Sequence, residues 1–276
     1  MTAEVWMGYL VDHQPDFTVV QSPFVLEQSR VFGADSDATT LTVAGLLHRL
    51  NHEPISSLGV PEGIDADTLA AACNVHVQGE EDEGDPHWDV LLSDEATVVI
   101  VRQGAEVELS HFDVEIAVDP EFHTAMEAAW QQELNAAHVS QGAYVSKSQY
   151  EEAAKSRLTL EGQHGAKGVV WPPRYSSGQG DDEVKRHLLS PSGTVQSWTT
   201  LSAAGAPSEF ALRAPLLGGI STVMLELHDG PKGVFLTVDD EEPTLDFGLS
   251  MELVLRRIYA QEGFVRYGLK ARTIQD

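Results

Sequence analysis

Eleven histidines, one cysteine and a cluster of C-terminal arginines are the side chains from which this chain could build a reactive or binding centre. His48 and His52 stand four residues apart, on one face of a helix, a spacing that can chelate a metal. No carboxylate pattern joins them as in a metalloprotease helix, so two partly exposed helix-end histidines are the simpler reading. His111, His123, His138, His187 and His228 are isolated. Cys73 precedes His76 closely enough to suggest a thiolate–imidazole pair, but it ends the apolar run Ala70–Ala72, which suits a buried, inert thiol. The chain has no Gly-x-Ser-x-Gly elbow and no phosphate-binding glycine loop of Walker or dinucleotide type. Residue chemistry thus argues against an autonomous enzyme and predicts no catalytic residue and no metal ligand set. One charge asymmetry remains. Residues 251–276 hold Arg256, Arg257, Arg266, Lys270 and Arg272 against Glu252, Glu262 and Asp276. Strict alternation puts Arg266, Lys270 and Arg272 on one face of a final strand and Val265, Tyr267 and Leu269 on the other. Two readings stand side by side: a basic surface for a phosphate-bearing ligand or an acidic partner, or internal pairing with the abundant carboxylates.

The carboxylates are abundant indeed. Asp and Glu number 43 against 17 Lys and Arg in 276 residues, a formal charge of −26. That balance repels phosphate backbones and weighs against general nucleic-acid binding. The acids are scattered, with one concentrated run at Glu80–Asp85, so adaptation to a salty cytoplasm explains them better than one solvated face. A single cysteine excludes an intramolecular disulfide and points to a reducing compartment. No apolar stretch reaches membrane-helix length and the N-terminus is not a signal peptide; a cytoplasmic protein without a membrane segment is expected.

The elements that would position these residues fall into two groups. Residues 1–120 read as α/β: a buried strand at Phe17–Val20, a helix from Thr40 to Leu50 with Val43, Leu46, Leu47 and Leu50 on one side, and a helix from Asp65, its N-cap, to Cys73. Strands at Ala96–Val101 and Phe112–Val118 follow. The first is apolar throughout, as a strand covered on both faces should be. A connector over 121–160 is helical, with a stripe of Met126, Ala129, Trp130 and Leu134. A second helix opens on a capping box at Ser146 and Gln149 and buries Tyr150, Ala153, Ala154 and Leu158. From Gly193 onward the pattern changes to five short strands: Thr194–Leu201, Ile220–Leu227, Gly233–Val238, Met251–Tyr259 and Phe264–Arg272, with a turn at His228–Pro231. Five short strands in ~80 residues without a long helix suggest a small, closed or partly open barrel of the OB type.

The runs Asp246–Tyr259 and Glu262–Arg272, with Val170–Arg174 and Gly193–Thr199 upstream, resemble a family of acyl-CoA-associated OB-fold proteins over residues 160–272. Its members accompany thiolases and 3-hydroxy-3-methylglutaryl-CoA synthases in archaea, and related aldolases elsewhere. The resemblance implies an accessory subunit that handles CoA thioesters, with Arg256, Arg257, Arg266, Tyr267, Lys270 and Arg272 as the CoA- or partner-binding residues. The first half resembles, less closely, the C-terminal half of a thiolase-fold synthase through Asp16–Pro23, the helix from Thr40 and the strands around Val98 and Val114. Ala143–Arg157 is similar to the tail that follows that fold in the HMG-CoA synthases.

The chain departs from both patterns where chemistry would lie. Gln21 stands where the synthases carry a catalytic histidine, no Gly-Asn pair precedes Thr40, and the half-domain that would hold the nucleophilic cysteine is missing. Relatives place a small zinc ribbon over 161–192; the matching positions here are His164, Lys167, Ser176 and Gln179, of which only His164 can bind zinc. The expectation is therefore a degenerate thiolase-like α/β domain (1–120), a helical connector (121–160), a metal-free ribbon (161–192) and an OB domain (193–276). Its function would be that of a non-catalytic subunit of a thiolase or HMG-CoA-synthase-type enzyme. An acyl-CoA-condensing or aldol-type enzyme in its own right is the alternative. An OB-type nucleic-acid binder, stacking bases on Trp198, Phe235 and Tyr267, is the third reading.

Overall fold

The computed structural model describes residues 4–78, 86–135, 137–138, 147–165, 168–173, 186–261 and 263–274. The acidic run Glu80–Asp85, the helix-opening Ser146, and the ribbon positions Lys167, Ser176 and Gln179 lie outside them. The chain packs as two units: Met1–Glu127 with Leu255–Arg257, and Ala128–Val254 with Ile258–Asp276. Together they make a mixed α/β protein with four sheets and four α-helices among the described residues.

In the first unit, β1 (Glu4–Trp6) and β2 (Tyr9–His13) form a hairpin. Its two-residue loop holds Met7 and Gly8 at φ 48° and 92°, the positive angles that a tight hairpin turn requires. β3 (Phe17–Gln21) pairs antiparallel with β2. A small sheet follows, of β4 (Phe24–Leu26), β5 (Ser29–Arg30) and the later β10. Helix α1 (Ala38–Leu50) starts on a capping box in which the Asp37 carboxylate takes the Thr40 N–H at 3.0 Å and the Thr40 hydroxyl takes the Asp37 N–H at 3.0 Å. Then come β6 (Ser57–Gly59), α2 (Ala66–Cys73), β7 (His76–Val77), β8 (Trp88–Ser93), β9 (Thr97–Arg102) and β10 (Ile116–Ala117). The large sheet runs β1-β2-β3-β9-β8-β6-β7, antiparallel from β1 to β8 and parallel from β8 to β7.

α1 lies against one face of this sheet, with Gly45 pressed on Val20 and Ile100. On the other face Leu10, Val19, Val99, Val101 and Phe112 form a core cluster that Phe17, Ala105 and Val107 extend. β9 is therefore buried on both sides, as its unbroken apolar run predicts. The expected strand at Phe112–Val118 is corrected: only Ile116–Ala117 pairs, with β4. The reason is Arg30, buried, whose guanidinium donates to the carbonyls of Phe112 (2.7 Å) and Val114 (3.0 Å) and so replaces a ladder there.

α3 (Pro120–Glu133) buries Met126, Ala129 and Trp130, the expected stripe. In the second unit α4 (Lys147–Leu158) buries Tyr150, Ala154 and Leu158. β11 (Glu161–Gly165), β12 (Gly168–Val170) and β13 (Arg186–Leu188) form a three-stranded antiparallel sheet ordered β12-β11-β13 where the ribbon is expected. The last five strands are β14 (Ser192–Leu201), β15 (Ile220–Leu227), β16 (Lys232–Leu236), β17 (Ser250–Gln261) and β18 (Phe264–Thr273), ordered β16-β15-β14-β17-β18. β14 pairs with β15 along its length and with β17 only over Ser192–Thr194, and its register with β15 shifts between Val195 and Ser197. A single parallel bridge joins Thr237, just after β16, to Ala271 of β18. One bridge is not a ladder, so the described residues do not make a closed barrel.

Candidate functional site

The cationic residues of β17 and β18 do not form an exposed basic face, which corrects the surface reading of their alternation. Arg256, Arg266 and Lys270 are buried, and Arg257 and Arg272 are half-buried. Each is covered by groups far away in sequence. Within the first unit, Arg256 Nε lies 3.0 Å from Asp35 Oδ1, with both side chains out of solvent. Its guanidinium sits 5.2 Å from the Tyr9 ring centre. The Tyr9 hydroxyl donates to the Leu255 carbonyl at 2.7 Å, and burial pushes its pKa up to about 12 against the opposing pull of Arg256. Arg257 gives its N–H to the Asp35 carbonyl at 2.7 Å, and its Nε lies 4.0 Å from the Asp37 carboxylate that caps α1.

Within the second unit, a buried four-membered ion network surrounds Lys270. Its ammonium is 2.6 Å from Asp239 Oδ1; Asp239 Oδ2 takes Arg213 at 2.8 Å, and Arg213 Nε donates to Glu133 Oε2 at 2.7 Å. Arg213 is stacked 3.7 Å from the Trp130 ring centre. Two cations and two carboxylates balance, yet burial still pushes the Glu133 carboxyl above its usual range, against the pull of Arg213. Arg266 lies 4.9 Å from the Tyr150 ring centre, and the Tyr150 hydroxyl accepts the Tyr267 N–H at 2.9 Å. Arg272 bonds Glu252 at 2.5 Å. Sequence reasoning missed Arg213, Glu133 and Asp239, because nothing local to each marks it as a partner of Lys270.

The other expected chemistry resolves as follows. Cys73 is buried, and desolvation lifts its thiol to about 12. Gln21 donates to the Thr97 hydroxyl at 2.7 Å, a cross-strand polar tie where a catalytic histidine would stand in the synthases. His164, on β11, has its ring 4.9 Å from that of His187, and His187 Nε2 is 3.2 Å from Asp229. No group of three or more metal-ligating side chains is arranged to hold an ion among the described residues. Of the three aromatics offered for base stacking, Phe235 and Tyr267 are buried and Trp198 is exposed. Trp198 has a neighbour that the sequence does not reveal: Phe247, 71% exposed, stands edge-on to it at 5.0 Å between ring centres.

Two features of the first unit were not anticipated. His13 of β2 packs with His48 and His52, with ring centres 4.4 Å (His13–His52), 5.2 Å (His48–His52) and 5.3 Å (His13–His48) apart. On the opposite face of β2, Asp12, Gln14, Phe17 and residues 106–111 line a cleft of about 630 Å³. At its floor the buried Asp12 carboxylate accepts Gln14 Nε2 at 2.7 Å and the Ser110 hydroxyl.

No family model matches the chain, and no curated protein matches it. Among solved structures it is similar to a chain of the Ltp2-ChsH2(DUF35) aldolase, with a TM-score of 0.31 and 17% identity, over 47% of this chain and 98% of that one. A likeness at that level fixes neither fold nor function. No helix among the described residues is long and apolar enough to cross a membrane.

Proposed function

We propose that this chain is a non-catalytic accessory subunit that binds a thiolase- or HMG-CoA-synthase-type enzyme and helps it hold CoA thioesters. The observation that carries the reading is the strand circuit of residues 192–273. The order β16-β15-β14-β17-β18, with the single parallel Thr237–Ala271 contact between the end of β16 and β18, supports an OB-type strand order without closing a barrel. It falls on the residues whose motifs resemble the acyl-CoA-associated OB family. The state of the charged side chains supports the same reading. Arg213, Lys270, Glu133 and Asp239 neutralise one another inside the unit, and Arg256 does the same with Asp35. Closed on one another in this way, they support a scaffold role for these side chains. Arg257 and Arg272, which keep partial exposure, are assigned to phosphate or acidic-partner contacts. Arg256, Arg266, Tyr267 and Lys270 act as internal supports.

The partner surface is assigned to Trp198 and Phe247, since exposed aromatic side chains are the usual anchors of protein interfaces. Replacing both with Ala tests this. The variant should fold and bind the thiolase-type enzyme at least about tenfold more weakly, the equivalent of ~1.4 kcal/mol. Unchanged affinity in a calorimetric titration at matched salt would remove this surface from the proposal.

A further inference from the structure

The cleft beside β2 is built from Asp12, Gln14, Phe17 and residues 106–111, on the segment that follows β9. Its volume of about 630 Å³ falls within the roughly 300–1,000 Å³ of sites that hold small organic molecules. Phe17 and Val107 pack on the core cluster of Leu10, Val19, Val99, Val101 and Phe112, so one wall is anchored to the sheet. Leu109, on the same segment as Val107, is 56% exposed, an apolar side chain left open to the cleft.

The floor carries a charge that the protein does not neutralise. Asp12 is 3% exposed. Its Oδ1 accepts Gln14 Nε2 at 2.7 Å and its Oδ2 accepts the Ser110 hydroxyl, both neutral donors. An ionised carboxylate offers about four acceptor positions, so roughly two remain. Buried charges are ordinarily paired with an opposite charge, and the open side of this one is the cleft. The other charged groups there do not supply the counterion. Glu106 and Glu108, both exposed, add negative charge, and no Lys or Arg lines the space. His111, its side chain 87% exposed, lies 3.7 Å from Asp113.

The occupant that fits is therefore positive, and the lining decides which kind. A bare divalent ion needs some six or more oxygens gathered about one point. Among the described residues no such group of metal-ligating side chains is assembled, and Phe17, Val107 and Leu109 would contribute nothing to it. An ammonium group on an apolar body uses both halves of the lining. We propose that this cleft binds a small organic ammonium compound, its charged head on the free acceptor positions of Asp12 and its body against Phe17, Val107 and Leu109. The charge-assisted bond to Asp12 fixes the head, and the Phe17 ring offers a cation–π contact. Glu106 and Glu108 concentrate cations at the mouth and repel anions. The site is thus separate from any that holds the phosphates of a CoA thioester.

Calorimetric titration of the full chain at one fixed salt concentration tests this with n-butylamine and 2-phenylethylamine, set against 2-phenylethanol and phenylacetate. Both amines should bind at a single site, 2-phenylethylamine the more tightly. The alcohol and the carboxylate should bind at least about tenfold more weakly than 2-phenylethylamine. Asp12→Asn should weaken 2-phenylethylamine at least about tenfold. Because Asp12 is buried, its unfolding midpoint is measured alongside, and Leu109→Ser, at an exposed position, gives a second reading by weakening the longer-bodied amine more than n-butylamine. Failure of both amines to bind, equal affinity for the alcohol, displacement of 2-phenylethylamine by equimolar Mg²⁺, or full affinity in a folded Asp12→Asn or in Leu109→Ser would each overturn the proposal.

Discussion

At the scale of single residues, the question is what the cations of the last two strands do, and burial answers it. Lys270 is 1% exposed and Asp239 7%, so their 2.6 Å contact is a desolvated pair and not a surface one. Removing one partner of such a pair leaves the other charge buried, a loss of about 3–5 kcal/mol, whereas an exposed pair contributes roughly 0–1 kcal/mol. Lys270→Ala is expected to destabilise the protein by about 3 kcal/mol or more, because the buried Asp239 carboxylate then loses the ammonium 2.6 Å from its Oδ1. Lys270→Met, which keeps the apolar stem, should recover part of the packing but not the charge balance. Denaturant unfolding of both variants checks this. A loss below about 1 kcal/mol for Lys270→Ala would mean that the pair is solvated in solution. Alternation placed Arg266, Lys270 and Arg272 on one face correctly. Their partners are Tyr150, Asp239 and Glu252, and strand periodicity carries no information about residues that distant.

Elements were more legible than side-chain environments. Each of the five C-terminal strands begins and ends within two residues of its sequence reading, because apolar alternation and Gly/Pro turn signals act locally. Val223, Leu225 and Leu227 are buried as their period of two requires. The helices α1 and α2 start where Asp37 and Asp65 can take the Thr40 and Thr68 N–H groups at 3.0 Å. The β1–β2 hairpin was not legible, since β1 offers only three residues of pattern, nor was β8, whose Leu91 and Leu92 stay exposed and blur the alternation. Gly45 carries a signal whose cause only the packing reveals. A glycine inside a helix costs about 1 kcal/mol relative to alanine, yet a Cβ there would lie 2.4 Å from Val20 Cγ2 and 2.9 Å from Ile100 Cδ1. Val20 is β-branched and fully buried and cannot move aside cheaply. Gly45→Ala should therefore lower stability by a net ~1–2 kcal/mol despite the gain in helix propensity. A higher melting temperature for the variant would show that α1 can shift off the sheet without penalty.

For the whole molecule, the two units divide the chemistry differently. The first combines a mixed sheet, a packed group of three imidazole rings and a thiol held far from ionisation. The second combines a three-stranded sheet, the five-stranded circuit and a charge network closed on itself. Gln21 is engaged with Thr97 across the strands β3 and β9. The motifs of residues 160–272 motivate the accessory role proposed above. The Trp198–Phe247 pair was not legible in the sequence, because the two residues are 49 apart and meet only through the folded sheet. With a formal charge of −26, non-specific association with acidic macromolecules is suppressed. The most direct test is the mass and composition of the native assembly, measured by light scattering and peptide identification on protein purified at its native salt. The account predicts a complex well above the 30.0 kDa of the chain, holding a thiolase-fold enzyme in fixed stoichiometry. The chain running alone at about its own mass, and turning over acetoacetyl-CoA without a companion, would contradict it.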